Sequence, residues 1–252
     1  MKTSTKLIII FFTCIPTSLL AYNLILKAEY KKGNVVRELE PRDNNIYVSK
    51  TGLPKFTHVV INGSLNVGNG GFEYWMAHVW IGGKDSTRKT GTGLEIIEGL
   101  KDNLNAMVKS DTLFISFHII GKFDNVSTTW NRESDIVKIY SDRVKSVKIS
   151  YADVTIGSNP GTTDSLKLTV GDRSRYDVRN LQLQKLVVVA KDNSNLNIWQ
   201  TNRIGALNYS LRDTSSLTID ENPVQRYLAE QVDSTAKIQI SGKASVLQKQ
   251  LH

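Results

Sequence analysis

Polar and apolar positions along residues 165–240 alternate with a period of two, and the alternation repeats as a block. "SLKLTVGDRSRYDV" covers 165–178, "KLVVVAKDNSNLNI" 185–198, "ALNYSLRDTSSLTI" 206–219 and "YLAEQVDSTAKIQI" 227–240. One position runs Asp172, Asp192, Asp213 and then Ser234, at intervals of 20, 21 and 21 residues. Two residues on stand Ser174, Ser194, Ser215 and Ala236. Apolar columns keep step. Leu166, Leu186, Leu207 and Leu228 precede the Asp; Tyr176, Leu196, Leu217 and Ile238 follow it, and Val178, Ile198, Ile219 and Ile240 close each block. "SVKISYADVTI" at 146–156 is a looser copy, offset by an insertion at 158–163. Period-two alternation in proline-free runs rich in β-branched residues predicts strands, not helices.

Two short strands and a tight corner, repeated about every 20 residues, predict stacked coils. Each strand then hydrogen-bonds to its equivalent about 4.8 Å away in the next coil. Equivalent side chains form columns, and a column accepts one kind of residue on every level. The predicted fold is all-β: a single-stranded parallel β-helix, or solenoid, with coils of about 20–21 residues, preceded by an N-terminal transmembrane helix. Asp172, Asp192 and Asp213 read as corner residues capping backbone N–H groups in Asx-type turns. Ser174, Ser194 and Ser215 read as corner residues chosen for small size. Stacked aspartates could also hold calcium. Against that, Arg173, Lys191 and Arg212 stand beside them, and the glycine–aspartate nonapeptide of calcium solenoids is missing.

At the N-terminus, Lys2 and Lys6 precede an uncharged run from Leu7 to Leu26, and Lys27 ends it. About twenty helical residues span about 30 Å, the hydrocarbon thickness of a bilayer. The pattern predicts a membrane anchor or signal segment over 1–27, either uncleaved or cut near residues 18–21. A spacer over 28–46, a β domain over 47–243 and a tail over 244–252 complete the expected organisation. A short N-terminus before a first apolar run predicts that the bulk is exported. The expected location is therefore the bacterial cell envelope, periplasmic or surface, with one membrane pass.

Between spacer and repeats, 56–67, 72–81 and 111–120 read as strands, and 93–108 reads as a short helix or a crossover with Leu94, Ile97 and Leu100 on one face. In "FEYWMAHVWI" (72–81), Ala77, Val79 and Ile81 share one face of a strand. Tyr74, Met76, His78 and Trp80 share the other. With the first set in the core, the second is an outward stripe of large rings suited to stacking on sugars or docking a protein. Tyr74, Met76, His78 and Trp80 are the candidate ligand-binding residues.

Composition narrows the chemistry. The one cysteine, Cys14, lies in the first apolar run, which leaves the predicted β domain without a disulfide, a thiolate metal site or a cysteine nucleophile. Net charge is +8, and +5 once Lys2, Lys6 and Lys27 are set aside. No dense basic cluster tracks phosphates, so nucleic acid is not an expected partner. "VGNGG" (67–71) and "TGTG" (90–93) lack phosphate-loop spacing. His58, His78 and His118 each fall in a strand, at no spacing that demands a metal. Asp177, Asp220 and Glu221 are acidic but not at equivalent places in successive coils. No catalytic residue, cofactor or metal is predicted.

The motif Phe56, Val59, Ile61, Gly63, Val67, the strand pair Leu113 and Ile115, and the later Asp-x-Ser-x-Leu-x-Ile copies carry a family resemblance. Over about residues 45–243 the chain resembles the bacterial putative adhesin family with a head GIN domain, found in Bacteroidetes-type envelopes. It departs from that pattern by insertions at 82–100 and 121–134 and by its aromatic second strand. The resemblance implies an extracytoplasmic β-solenoid serving as a non-catalytic binding or structural module. The implied partners are envelope polysaccharide or another envelope protein, with the membrane itself met through the N-terminal helix. Two alternatives stand beside it: a scaffold or sensing partner of another membrane protein, and a carbohydrate-active β-helix enzyme working through groups in a groove.

Overall fold

The structure is a computed structural model. It describes residues 3–31, 47–50, 53–67, 71–74, 77–83, 92–98, 101, 103–117, 135–141, 143–157, 164–221 and 223–242. The N-terminal helix and the strands fall into two separate compact units, and each is described by itself.

Helix α1 runs Thr3–Lys31 with Pro16 inside it. Proline supplies no backbone N–H, and hydroxyls just beyond it fold back on the backbone. Thr17 Oγ1 donates to the carbonyls of Thr13 (2.9 Å) and Cys14 (3.0 Å), and Ser18 Oγ to that of Ile15 (2.9 Å). The expected membrane span is corrected here: among the described residues, no helix is long and apolar enough to cross a membrane. A span needs about 20 predominantly apolar residues. Thr13, Thr17, Ser18 and Asn23 stand among the apolar residues of the helix.

The second unit is built of strands. The first nine are β1 (Tyr47–Lys50), β2 (His58–Asn62), β3 (Ser64–Val67), β4 (Gly71–Tyr74), β5 (Ala77–Gly82), β6 (Gly93–Ile97), β7 (Leu104–Lys109), β8 (Thr112–Phe117) and β9 (Val137–Tyr140). Then come β10 (Ser146–Ser150), β11 (Ala152–Gly157), β12 (Ser165–Gly171), β13 (Arg175–Val178) and β14 (Gln182–Ala190). The last are β15 (Asn195–Ile198), β16 (Arg203–Leu211), β17 (Ser216–Ile219), β18 (Val224–Val232) and β19 (Lys237–Ile240). A nine-stranded sheet has the order β1-β6-β9-β5-β11-β13-β15-β17-β19, an eight-stranded sheet has β18-β16-β14-β12-β10-β2-β8-β7, and β3 pairs with β4 alone.

Both large sheets are mixed, which corrects the expected single-stranded parallel β-helix. β6 runs antiparallel to β1 and β9, β7 to β8, and β3 to β4. The physical reason lies in the connections. Parallel neighbours need a long crossover, whereas a two-residue link forces a hairpin. β7 and β8 are joined by Ser110 and Asp111 alone, both at positive φ (46° and 66°), the backbone of a tight hairpin turn. The 20-residue recurrence that imposes parallel stacking begins only with the later strands. The helix or crossover expected over 93–108 is likewise replaced by β6 and β7. Leu104 and Ala106 are buried and Asn105 and Met107 exposed, a period of two that outweighs the helical spacing of Leu94, Ile97 and Leu100.

From β10 onward neighbouring strands are parallel, and the apolar columns meet in register. Tyr176 faces Leu196, Leu196 faces Leu217 and Leu217 faces Ile238. In the other sheet Leu166, Leu186 and Leu207 line up, but the last level places Tyr227, not Leu228, beside Leu207. A bulge explains the slip: Tyr209 faces Ala229 while Ser210 faces Gln231, so Glu230 is an extra residue. Tyr176, Leu196, Leu166, Leu186 and Leu207 are fully buried, each contributing about 1.5–3 kcal/mol. Ile238 on the final level is 39% exposed, since among the described residues no further strand covers it.

The corners repeat as well. Asp172, Asp192 and Asp213 have φ of 48°, 55° and 54°, in the left-handed region that Asp tolerates at turns. Ser174, Ser194 and Ser215 are buried directly after these turns. Ser174 Oγ accepts from the Ala152 N–H (3.2 Å); Ser194 Oγ accepts from Lys191 N–H (3.0 Å) and donates to the Val170 carbonyl (3.1 Å). Ser215 Oγ has no partner among the described residues.

Candidate functional site

The outward face of the nine-stranded sheet holds a cleft of about 490 Å³ where β5 meets β11 and β13. Strand alternation sends Val79 and Ile81 into the core and His78 and Trp80 outward. Pairing does the rest. His78 faces Asp153, which faces Arg175; Trp80 faces Thr155, which faces Asp177. Two rows of outward side chains from strands far apart in sequence thus lie side by side.

Trp80 owes its place to glycines. A Cβ on Gly82 would run into the Trp80 six-membered ring, and one on Gly157 would come 3.4 Å from Trp80 Nε1. The indole lies over this pair of bare backbone positions. On its other flank stands Tyr140, with ring centroids 5.4 Å apart and planes at 59°. The Tyr140 hydroxyl donates to Glu95 Oε2 at 2.8 Å. The ring is therefore supported by glycine backbone and by an anchored tyrosine.

Beside it are paired charges. His78 Nε2 lies 3.3 Å from Asp153 Oδ2. Asp177, 6% exposed, takes Asn197 Nδ2 at 2.8 Å and Trp199 Nε1 at 3.4 Å on Oδ1. Its Oδ2 lies 3.6 Å from both Arg175 and Arg179. Arg179 also sits over the Trp199 ring, 4.5 Å from its centroid, a cation–π contact. Asp135 completes the cleft at the start of β9. Its carboxyl is held above the usual carboxylate range by burial, with Lys138 and His78 pulling it partly back.

Of the four ring-stripe residues, Tyr74 stands on β4 in the two-stranded sheet, and His78 and Trp80 stand on β5 and line the cleft. Met76 lies outside the described residues. Asp172, Asp192, Asp213, Ser174, Ser194 and Ser215 are at corners and not among the residues that line the cleft. Asp177 lines it, but Asp220 does not: its carboxylate accepts from Ser241 Oγ at 2.8 Å. His58 stands in the other sheet, 2.6 Å from Ser146 Oγ, and His118 lies outside the described residues. Among the described residues, no group of three potential metal ligands comes together. Asp135, Asp153, Arg175 and Arg179 were not singled out from sequence. The available signal was the three charges in "RYDVR", the first two at positions that later copies fill with Asn195 and Asn197, Ser216 and Thr218, and Lys237 and Gln239.

No family model matches the chain, and no curated protein matches it. Among solved structures, it is similar to a putative adhesin of Bacteroides fragilis at 14% identity, covering 80% of this chain and 99% of that one, with a TM-score of 0.48. It is similar to a putative adhesin of Parabacteroides distasonis at 16% identity, covering 79% and 95%, with a TM-score of 0.41. A putative adhesin of Parabacteroides merdae is similar at 15% identity, covering 79% and 95%, with a TM-score of 0.35.

Proposed function

We propose that this protein is a non-catalytic binding module of the bacterial envelope, presented on the exported side, and that the cleft is its saccharide site. The observation that carries the reading is Trp80, a partly exposed indole over Gly82 and Gly157 with hydrogen-bonding groups at its side. Sugar rings stack their C–H faces on such a platform, and the neighbouring polar groups fix their hydroxyls. The envelope placement rests on the motif resemblance to the adhesin family.

Binding is favoured over hydrolysis by the state of the carboxylates. Asp177 already accepts two neutral donors and faces two guanidinium groups, so both of its oxygens are engaged. Asp153 is engaged by His78. One observation favours the enzymatic alternative: the raised Asp135 carboxyl is the kind of group that serves as a general acid.

The test is a glycan and envelope-polymer binding screen of the full chain, wild type beside Trp80→Ala. The expected result is a saccharide bound by the wild type and lost in the variant, with the melting temperature preserved. Binding that survives in Trp80→Ala contradicts the site. Release of reducing ends from a bound polymer, abolished by Asp135→Asn, would instead establish the enzyme.

A further inference from the structure

The arginine pair narrows the ligand class. Asp177 holds its Oδ1 for Asn197 and Trp199 and shares its Oδ2 between Arg175 and Arg179. Two positive charges thus stand on one negative. Both arginine side chains remain 46% exposed, and each approaches the carboxylate at only 3.6 Å. Stacking on Trp199 fixes the Arg179 plane without consuming its N–H groups. A guanidinium carries five donors in a planar fork that matches a carboxylate in bidentate fashion. Most of these donors remain open to a ligand. The opposing charges are accounted for: Asp153 is engaged by His78, and the Asp135 carboxyl feels the charges of Lys138 and His78.

We infer that the cleft takes a carboxylate-bearing saccharide, a uronic acid residue whose ring stacks on Trp80 while its carboxylate meets Arg175 and Arg179. This rests on the binding reading above and adds the chemical class. The sequence marks the same point: Arg175 and Asp177 occupy positions filled by Asn195 and Asn197 one level on, by Ser216 and Thr218 after that, and by Lys237 and Gln239 on the last, where no acidic partner stands beside the lysine. The charged pair occurs only on the strand that borders the Trp80 strand's neighbour, so it belongs to the cleft and not to the stacking.

The experiment titrates the full chain with a panel of neutral oligosaccharides, each beside its uronic-acid counterpart of the same linkage. A matched acidic member is expected to bind about tenfold or more tightly than its neutral partner, the worth of one charge-assisted contact. Arg175→Gln and Arg179→Gln should each shrink that ratio toward one. Should either variant fail to fold, the wild type still decides. Its affinity for the acidic member must fall between about 0.05 M and about 0.5 M salt, while that for the neutral member holds. Neutral members bound as tightly as acidic ones would overturn this inference and leave the binding reading standing. A panel that binds nowhere would overturn both.

Discussion

The strands from β10 to β19 and those from β1 to β9 solve the same problem in different ways. In the later strands each side chain meets its equivalent from 20 to 22 residues away, so the core is written as columns of one residue type. In the earlier strands neighbours come from unrelated stretches: β6 and β9 pair antiparallel, β5 and β11 parallel, and a tight turn sets the register of β7 and β8. Regularity confers a core but no distinction between levels. The cleft forms at the junction, where irregular strands supply His78 and Trp80 and the first regular ones supply Asp153, Arg175 and Asp177.

The largest expected effect contrasts a covered level with the open one. Leu196 is fully buried, and Leu196→Ala should cost about 2–5 kcal/mol in chemical denaturation. Ile238 occupies the same column but is 39% exposed, and Ile238→Ala should cost about 1 kcal/mol or less. Equal costs would mean that the end of the ladder is covered in solution.

A smaller effect is expected at the junction. Gly82→Ala places a methyl against the Trp80 ring and 2.6 Å from the Gly157 carbonyl oxygen. The collision should cost about 1–3 kcal/mol and change the near-ultraviolet circular dichroism as the indole moves. An unchanged spectrum would detach Trp80 from its glycine support.

The smallest effects separate the corner serines. Ser194→Ala removes two hydrogen bonds while the Lys191 N–H keeps its bond to the Val170 carbonyl, for about 0.5–1.5 kcal/mol. Ser215 has no partner among the described residues, and Ser215→Ala should change stability by less than about 0.5 kcal/mol or raise it. Melting curves of the two variants check this directly.

The same contrast explains what was legible in the sequence. The columns Tyr176, Leu196, Leu217, Ile238 and the corners at Asp172, Asp192 and Asp213 could be read because repetition displays neighbours in the text. The column ending at Leu228 failed by one residue, because a bulge at Glu230 leaves no local signature. The antiparallel strands were hidden for a different reason: Leu94, Ile97 and Leu100 fit a helix as well as a strand, and only pairing with β1 and β9 decides. Of the site, the outward direction of His78 and Trp80 followed from alternation. That they meet Asp153 and Arg175 depends on a register between strands some 75 residues apart, which no spacing rule encodes.

The most direct test watches the indole itself. The chain has four tryptophans, and Trp80→Phe assigns the Trp80 Nε1–H signal in a nitrogen-labelled spectrum. Titration with the saccharide found by screening is expected to shift that signal in step with calorimetric saturation. A saccharide that saturates the protein while the Trp80 signal stays in place would contradict the cleft as the binding site.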